Sequence, residues 1–146
     1  GMGLGVAAGM ALADRNRKVY CLISDGELDE GSTWEAIKFV GQKRIKNLIV
    51  ILDYNKITAC QRIDLEPLVD KFNSFGWHVD KLDGNNIKQL KDSLEYGAYF
   101  SQWNRPIMII ADTIKGKGVS FMENSIEWHY MNLDENLLNK ALRENG

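Results

Sequence analysis

Two short polar segments carry oxygen donors of the kind that suit a hard metal ion. The first is Ser24-Asp25-Gly26-Glu27-Leu28-Asp29-Glu30-Gly31, and the second is Asp53-Tyr54-Asn55-Lys56-Ile57. Asp25 offers a carboxylate, Asn55 an amide oxygen and Ile57 its main-chain carbonyl. These donors suit Mg²⁺ or Ca²⁺, with phosphate oxygens and water completing the shell. Gly26 would let the chain turn and let an anion approach the backbone. The start of a helix near 31–34 would add a dipole favourable to phosphate. Taken alone, Asp-Gly is also a common turn, so both segments could simply cap a helix or close a loop.

The elements that must position these groups alternate helix and strand. Residues 4–16 are small and apolar at helical spacing, and 18–23 form a short apolar run rich in strand formers. A helix is predicted over 32–44, with Trp34, Ile37, Phe39 and Val40 inward and a capping box from Ser32 to Glu35. Strands are predicted over 47–52, 77–82 and 106–111. Further helices are predicted over 66–75, with Pro67 in its first turn, over 87–96 and over 133–142. Apolar strands alternating with helices imply an α/β fold, a three-layer α/β/α arrangement with a mainly parallel sheet. Ligands then bind at the carboxyl ends of strands, so the loops to watch are 24–31, 53–61, 83–86 and 112–118. Asp25 and Asn55 lie thirty residues apart, one strand–helix–strand unit, and a right-handed crossover sets their loops side by side.

Composition excludes several classes. The chain has 146 residues, 45% hydrophobic and 26% charged, enough for one domain with a real core. A net charge of -2 provides no basic field for nucleic acid or an anionic membrane surface. No apolar run approaches the roughly 20 residues of a membrane span. Cys21 and Cys60 are too few for a disulfide scaffold and fit a reducing, cytoplasmic setting. Cys21 reads as core, and His78, between Trp77 and Val79, as structural. Lys115 and Lys117 could contact phosphate or simply keep a flexible glycine loop soluble, and the solvated reading is favoured. Gly3, Gly5 and Gly9 read as close helix packing. The glycine-rich opening, with no strand before it, predicts a domain over 1–146 that is incomplete upstream.

Ser24-Asp25-Gly26, followed by a helix, a strand and Asp53-Tyr54-Asn55-Lys56, resembles the thiamine diphosphate motif. The stretches GLGVAAGMALA (3–13), DGELDEGSTWEA (25–36), NLIVILDYNK (47–56), LEPLVDKFNSFGWHV (65–79) and IKGKGVSFMENSIEWH (114–129) resemble the N-terminal diphosphate-binding domain of transketolase. The resemblance implies thiamine diphosphate with Mg²⁺ or Ca²⁺ as cofactors. Asp25, Asn55 and the Ile57 carbonyl would ligate the metal. Gly26 and Glu27 would lie against the cofactor, Gly26 at its diphosphate. His129 would stand near cofactor phosphates and substrate as the candidate catalytic residue. Glu30 would sit at a dimer interface. The implied reaction moves a two-carbon ketol unit between sugar phosphates, with the cofactor as electron sink. It implies as partners a pyrimidine-binding domain or subunit, which supplies the activating glutamate, and a homodimer. The isolated chain would then be inactive.

Some positions depart from that pattern. Ser24 replaces the motif's first glycine, the loop after Lys56 is shortened, and Tyr130 follows His129 where glycine is common. Two other readings stand beside the first. One is part of another thiamine diphosphate enzyme, such as a deoxyxylulose phosphate synthase or a 2-oxo acid dehydrogenase component. The other is a degenerate, non-catalytic dimerising domain.

Overall fold

The computed structural model describes residues 1–99 and 104–145. Four strands, β1 (Val19–Ser24), β2 (Leu48–Tyr54), β3 (His78–Asp83) and β4 (Ile107–Asp112), form one sheet in the order β1-β2-β4-β3. Every pairing is parallel. Among the described residues, five helices accompany it: α1 (Gly3–Ala13), α2 (Gly31–Gln42), α3 (Leu68–Ser74), α4 (Ile87–Tyr99) and α5 (Glu135–Asn145). The α/β class and the parallel sheet are as expected, and the boundaries move by one to three residues.

The larger core lies on one face of the sheet. There Val50, Leu52, Tyr54, Met108 and Ile110 meet α1, α2 and α3 through Leu4, Ala8, Ile37, Val40, Leu68 and Phe72. Trp77 is fully buried in this core, stands edge-on to Phe72, and donates its indole N–H to the Ile37 carbonyl at 2.9 Å. Removing that ring would cost about 3–5 kcal/mol. The opposite face is covered by α4, where Leu94 packs on Ile49, Ile107 and Ile109.

Cover on both faces holds for the central strands and fails at the edge. β2 and β4 are buried almost throughout, whereas β1 alternates, leaving Tyr20 and Leu22 51% and 72% exposed. Phe39 also points outward, because the inward stripe of α2 runs through Thr33, Ile37, Val40 and Gly41. Gly41 is the glycine that packing requires, since a Cβ there would lie 1.9 Å from the Phe75 carbonyl oxygen. Gly3, Gly5 and Gly9 do not pack closely: a Cβ on any of them meets nothing within 4 Å. α1 buries Leu4, Ala7, Ala8 and Ala11 and turns its glycines out.

The expected capping box is displaced by one element. Glu30 is the N-cap of α2 and makes no side-chain cap, while Ser32 donates its hydroxyl to the Gly1 carbonyl at 3.2 Å. The box forms instead between Ser24 and Glu27, around the 3₁₀ turn Asp25–Asp29. α3 also begins later than predicted, with Pro67 as its N-cap and not within its first turn; the Glu66–Pro67 bond is cis.

Candidate functional site

β1 and β2 run side by side in register, with Ser24 opposite Asp53. Their loops therefore leave the same edge of the sheet together. A cleft of about 580 Å³ opens there, lined among others by Asp25, Gly26, Glu30, Asn55, Ile57 and His129. Residues far apart in sequence converge on it as the crossover rule expects.

Asp25 is the most constrained of them. It is 2% exposed, at the start of the 3₁₀ turn. Its Oδ1 accepts the Gly26 N–H at 2.8 Å, and its Oδ2 accepts the Lys56 N–H at 2.6 Å. Burial pushes its pKa above the ordinary carboxylate value, and the nearby Asp53 charge adds to that push. The main-chain donors Lys56, Gly26 and Ile57 oppose it. A buried carboxylate costs free energy when charged, and an adjacent cation removes that cost.

Asn55 and Ile57 are held by a local turn. Asn55 Oδ1 accepts the Ile57 N–H at 3.0 Å, and its Nδ2 donates to Asp53 Oδ2 at 3.4 Å. Thr113 on the neighbouring loop donates its hydroxyl to Asp53 Oδ1. Ile57 is 3% exposed and forms an antiparallel bridge with Arg62. The shortened loop is thus a closed hairpin turn, in which Thr58 Oγ1 donates to the Gln61 carbonyl at 3.0 Å.

The remaining expected residues divide. Gly26 has no left-handed φ, so turning the chain is not its purpose. A Cβ there would meet Thr58 only at ordinary contact distance, 3.5 Å. Packing therefore does not demand glycine, and its effect is to bare the main chain along the cleft. Glu27 does not share the cleft with the other expected residues. It is absent from the cleft lining, because its carboxylate turns back to accept the Ser24 N–H at 2.9 Å. Glu30 is exposed at the cleft rim. His129 reaches the cleft from the turn Glu127–His129, its ring tilted against Tyr130 at 4.8 Å.

Lys115 was underestimated by its sequence. It lines the cleft and is half-buried, which the reading of a solvated charge did not anticipate. The loop that carries it is well defined. Gly116 and Gly118 have φ of 75° and 95°, and a Cβ on Gly116 would lie 2.7 Å from Met122. Lys117 pairs with Glu123 at 3.3 Å. Cys21 is buried and Cys60 exposed, both as free thiols.

Among the described residues, no group of three or more His, Cys, Asp or Glu side chains is arranged to hold a metal. The donor set at the cleft is one carboxylate, one amide oxygen and one carbonyl. It suits a hard divalent cation whose remaining ligands arrive with a phosphate-bearing group. Thiamine diphosphate fits that demand: the bared main chain at Gly26 leaves room, and Lys115 and His129 offer positive or hydrogen-bonding groups.

The family model described as "Transketolase, thiamine diphosphate binding domain" matches residues 1–146. The chain belongs to this family. A 6-deoxy-6-sulfo-D-fructose transketolase subunit from a Clostridium species is 41% identical over 99% of this chain and 54% of its own length. An apulose-4-phosphate transketolase subunit from Actinobacillus succinogenes is 40% identical over 89% of this chain and 49% of its own. Human transketolase is 35% identical over 99% of this chain and 24% of its own. The chain thus spans about half the length of those subunits and a quarter of the longer enzymes. Among solved structures, transketolase from Campylobacter jejuni is 29% identical with a TM-score of 0.81, over 98% of this chain and 23% of that one. The transketolase-family fold accounts for the parallel sheet with flanking helices. Among the described residues, no helix is long and apolar enough to cross a membrane.

Proposed function

We propose that this transketolase-family domain supplies the Mg²⁺–diphosphate half of a thiamine diphosphate site. The observation that carries the proposal is the convergence of Asp25, Gly26, Asn55, Ile57 and His129 on one cleft, with Asp25 buried and without a cationic partner among its hydrogen bonds. Asp25 Oδ, Asn55 Oδ1 and the Ile57 carbonyl would hold the cation. The Gly26 main chain would flank the diphosphate, and Lys115 would neutralise part of its charge. His129 would hold or move a proton at the substrate end of the cleft. When bound, thiamine diphosphate supplies the carbanion chemistry and electron sink for transfer of a two-carbon ketol unit between sugar phosphates.

Completion of the site requires a pyrimidine-binding domain or subunit. Two relatives that this chain half-covers are themselves named subunits, which supports a divided enzyme. The rim position of Glu30 and the bare edge at Tyr20 and Leu22 suit burial in an assembly, including a homodimer. On this reading 1–146 acts as one diphosphate-binding domain, in the cytoplasm, and turns over only with its partner.

Calorimetry with thiamine diphosphate and Mg²⁺ is the deciding experiment. The expected result is saturable heat that requires the cation and is lost in Asp25→Ala. No heat from the wild-type chain, alone and with a pyrimidine-domain partner, would overturn the proposal in favour of a non-catalytic scaffold.

A further inference from the structure

Lys56 is tied to more of the molecule than either neighbour. Its φ is 65°, in the left-handed region that a side chain disfavours. Its N–H donates to Asp25 Oδ2 at 2.6 Å, and its carbonyl accepts the Ile63 N–H at 3.0 Å. Its ammonium donates to both carboxylate oxygens of Asp112, at 2.8 and 3.0 Å. It also lies 5.2 Å from the centre of the Tyr54 ring. Asp112 ends β4, directly opposite Tyr54 in the register of β2 with β4.

This arrangement closes a circuit across three strands. From the 3₁₀ turn that follows β1, Asp25 grips the main chain of Lys56. From β4, Asp112 grips its side chain. The residue between them is turned left-handed and stands in the chain between Asn55 and Ile57. A left-handed residue of this kind persists only where surrounding contacts over-determine it.

We propose that the Lys56–Asp112 pair is a positioning device that holds the second loop in its ligand-presenting conformation. Neither side chain is among the candidate ligands. The proposal rests on the functional reading above for what the loop presents, and on geometry alone for how it is held. Lys81 provides the internal control. Its ammonium lies 5.7 Å from the same Tyr54 ring and pairs with Glu66, with no hydrogen bond to the 53–57 main chain.

The test is amide hydrogen exchange by NMR on the full 146-residue chain. Lys56→Met and Asp112→Asn should each speed exchange at residues 56 and 57 by about fivefold, the scale of a half-exposed ion pair, with Ile37 unaffected. Lys56→Arg should restore the wild-type rate, and Lys81→Met should leave it unchanged. The dissociation constant for thiamine diphosphate with Mg²⁺ should rise by about the same factor in the first two variants. Unchanged exchange at 56 and 57 would overturn the proposal, as would equal acceleration in Lys81→Met. If Lys56→Met fails to fold, Asp112→Asn decides. A wild-type chain that binds no cofactor, alone and with a pyrimidine-domain partner, would overturn the functional reading, and the exchange rates would still decide the clamp.

Discussion

At the carboxyl edge of the sheet, the cleft over β1 and β2 keeps Asp25 buried against main-chain N–H groups and a second carboxylate, Asp53. The neighbouring cleft over β3 and β4, about 610 Å³, treats charge differently. There Lys81 pairs with Glu66 at 2.5 Å, Lys117 with Glu123 at 3.3 Å, and Asp112 with Lys56 at 2.8 Å. Volume does not distinguish the two clefts, and the larger one is the better neutralised. A charge left unpaired in a buried place is costly, and a bound cation offsets that cost. Opposed charges on a half-exposed rim are already compensated and ask for no ligand.

The largest expected effect breaks this contrast at its source. Asp25→Ala removes the proposed metal ligand and strands two N–H donors, and should weaken Mg²⁺-dependent cofactor binding by at least about 100-fold, beyond the usual loss from supporting residues. Calorimetry giving affinity within tenfold of wild type would show that the two clefts are alike. Asn55→Ala should cost less, about 10- to 100-fold, because one donor is lost and the Asp25 carboxylate stays. Titrations of the two variants side by side would rank them, and the reverse order would contradict the assignment.

Acidification sharpens the comparison. The folded-state pKa of Asp25 is raised, chiefly by burial, so its carboxylate takes a proton at higher pH than an ordinary aspartate. A protonated carboxyl no longer ligates a cation. The rise in Tm produced by Mg²⁺ with thiamine diphosphate should therefore shrink as pH falls through that raised value. Thermal melts at about pH 7 and near pH 4, where ordinary aspartates begin to titrate, would check it. Undiminished protection at the lower pH would remove Asp25 from the ligand set.

The smallest effect belongs to the paired cleft. Lys81→Met should lower stability by less than about 1 kcal/mol and leave cofactor affinity within about twofold, since the pair is well exposed. Glu66 has its pKa lowered first by the hydrogen bond from Lys81. That contribution is present above the pKa of the unfolded chain and disappears as pH falls through the lowered folded value. Urea denaturation across the acid range should show a flatter pH dependence in the variant; an identical slope would show that the pair contributes nothing there.

Much of this was legible from residue order. The oxygen donors at Asp25, Asn55 and Ile57 stand at the ends of apolar runs, and one strand–helix–strand unit brings them together. Helix and strand identities follow from periodicity, and only their ends move. Other features escaped because they depend on the conformation the chain takes at that point, which residue type alone does not reveal. Lys115 looks solvated in the sequence, yet it is half-buried in the lining of the cleft. Glu27 belongs to the acidic loop yet is drawn back to Ser24 once the 3₁₀ turn forms. Gly5 and Gly9 read as packing glycines, though nothing in the described structure lies against them.

The sequence by itself determined the alternating α/β pattern and the donor types, because hydrophobic periodicity and side-chain chemistry are local properties. It also determined the resemblance that implied the cofactor. Only the tertiary structure decided which charges are neutralised. Lys56 meets Asp112, 56 positions away in sequence, because β2 and β4 are paired in register, and Asp25 is buried because two loops close over it. Whether a carboxylate becomes a binding site or half of an ion pair depends on what folding places beside it.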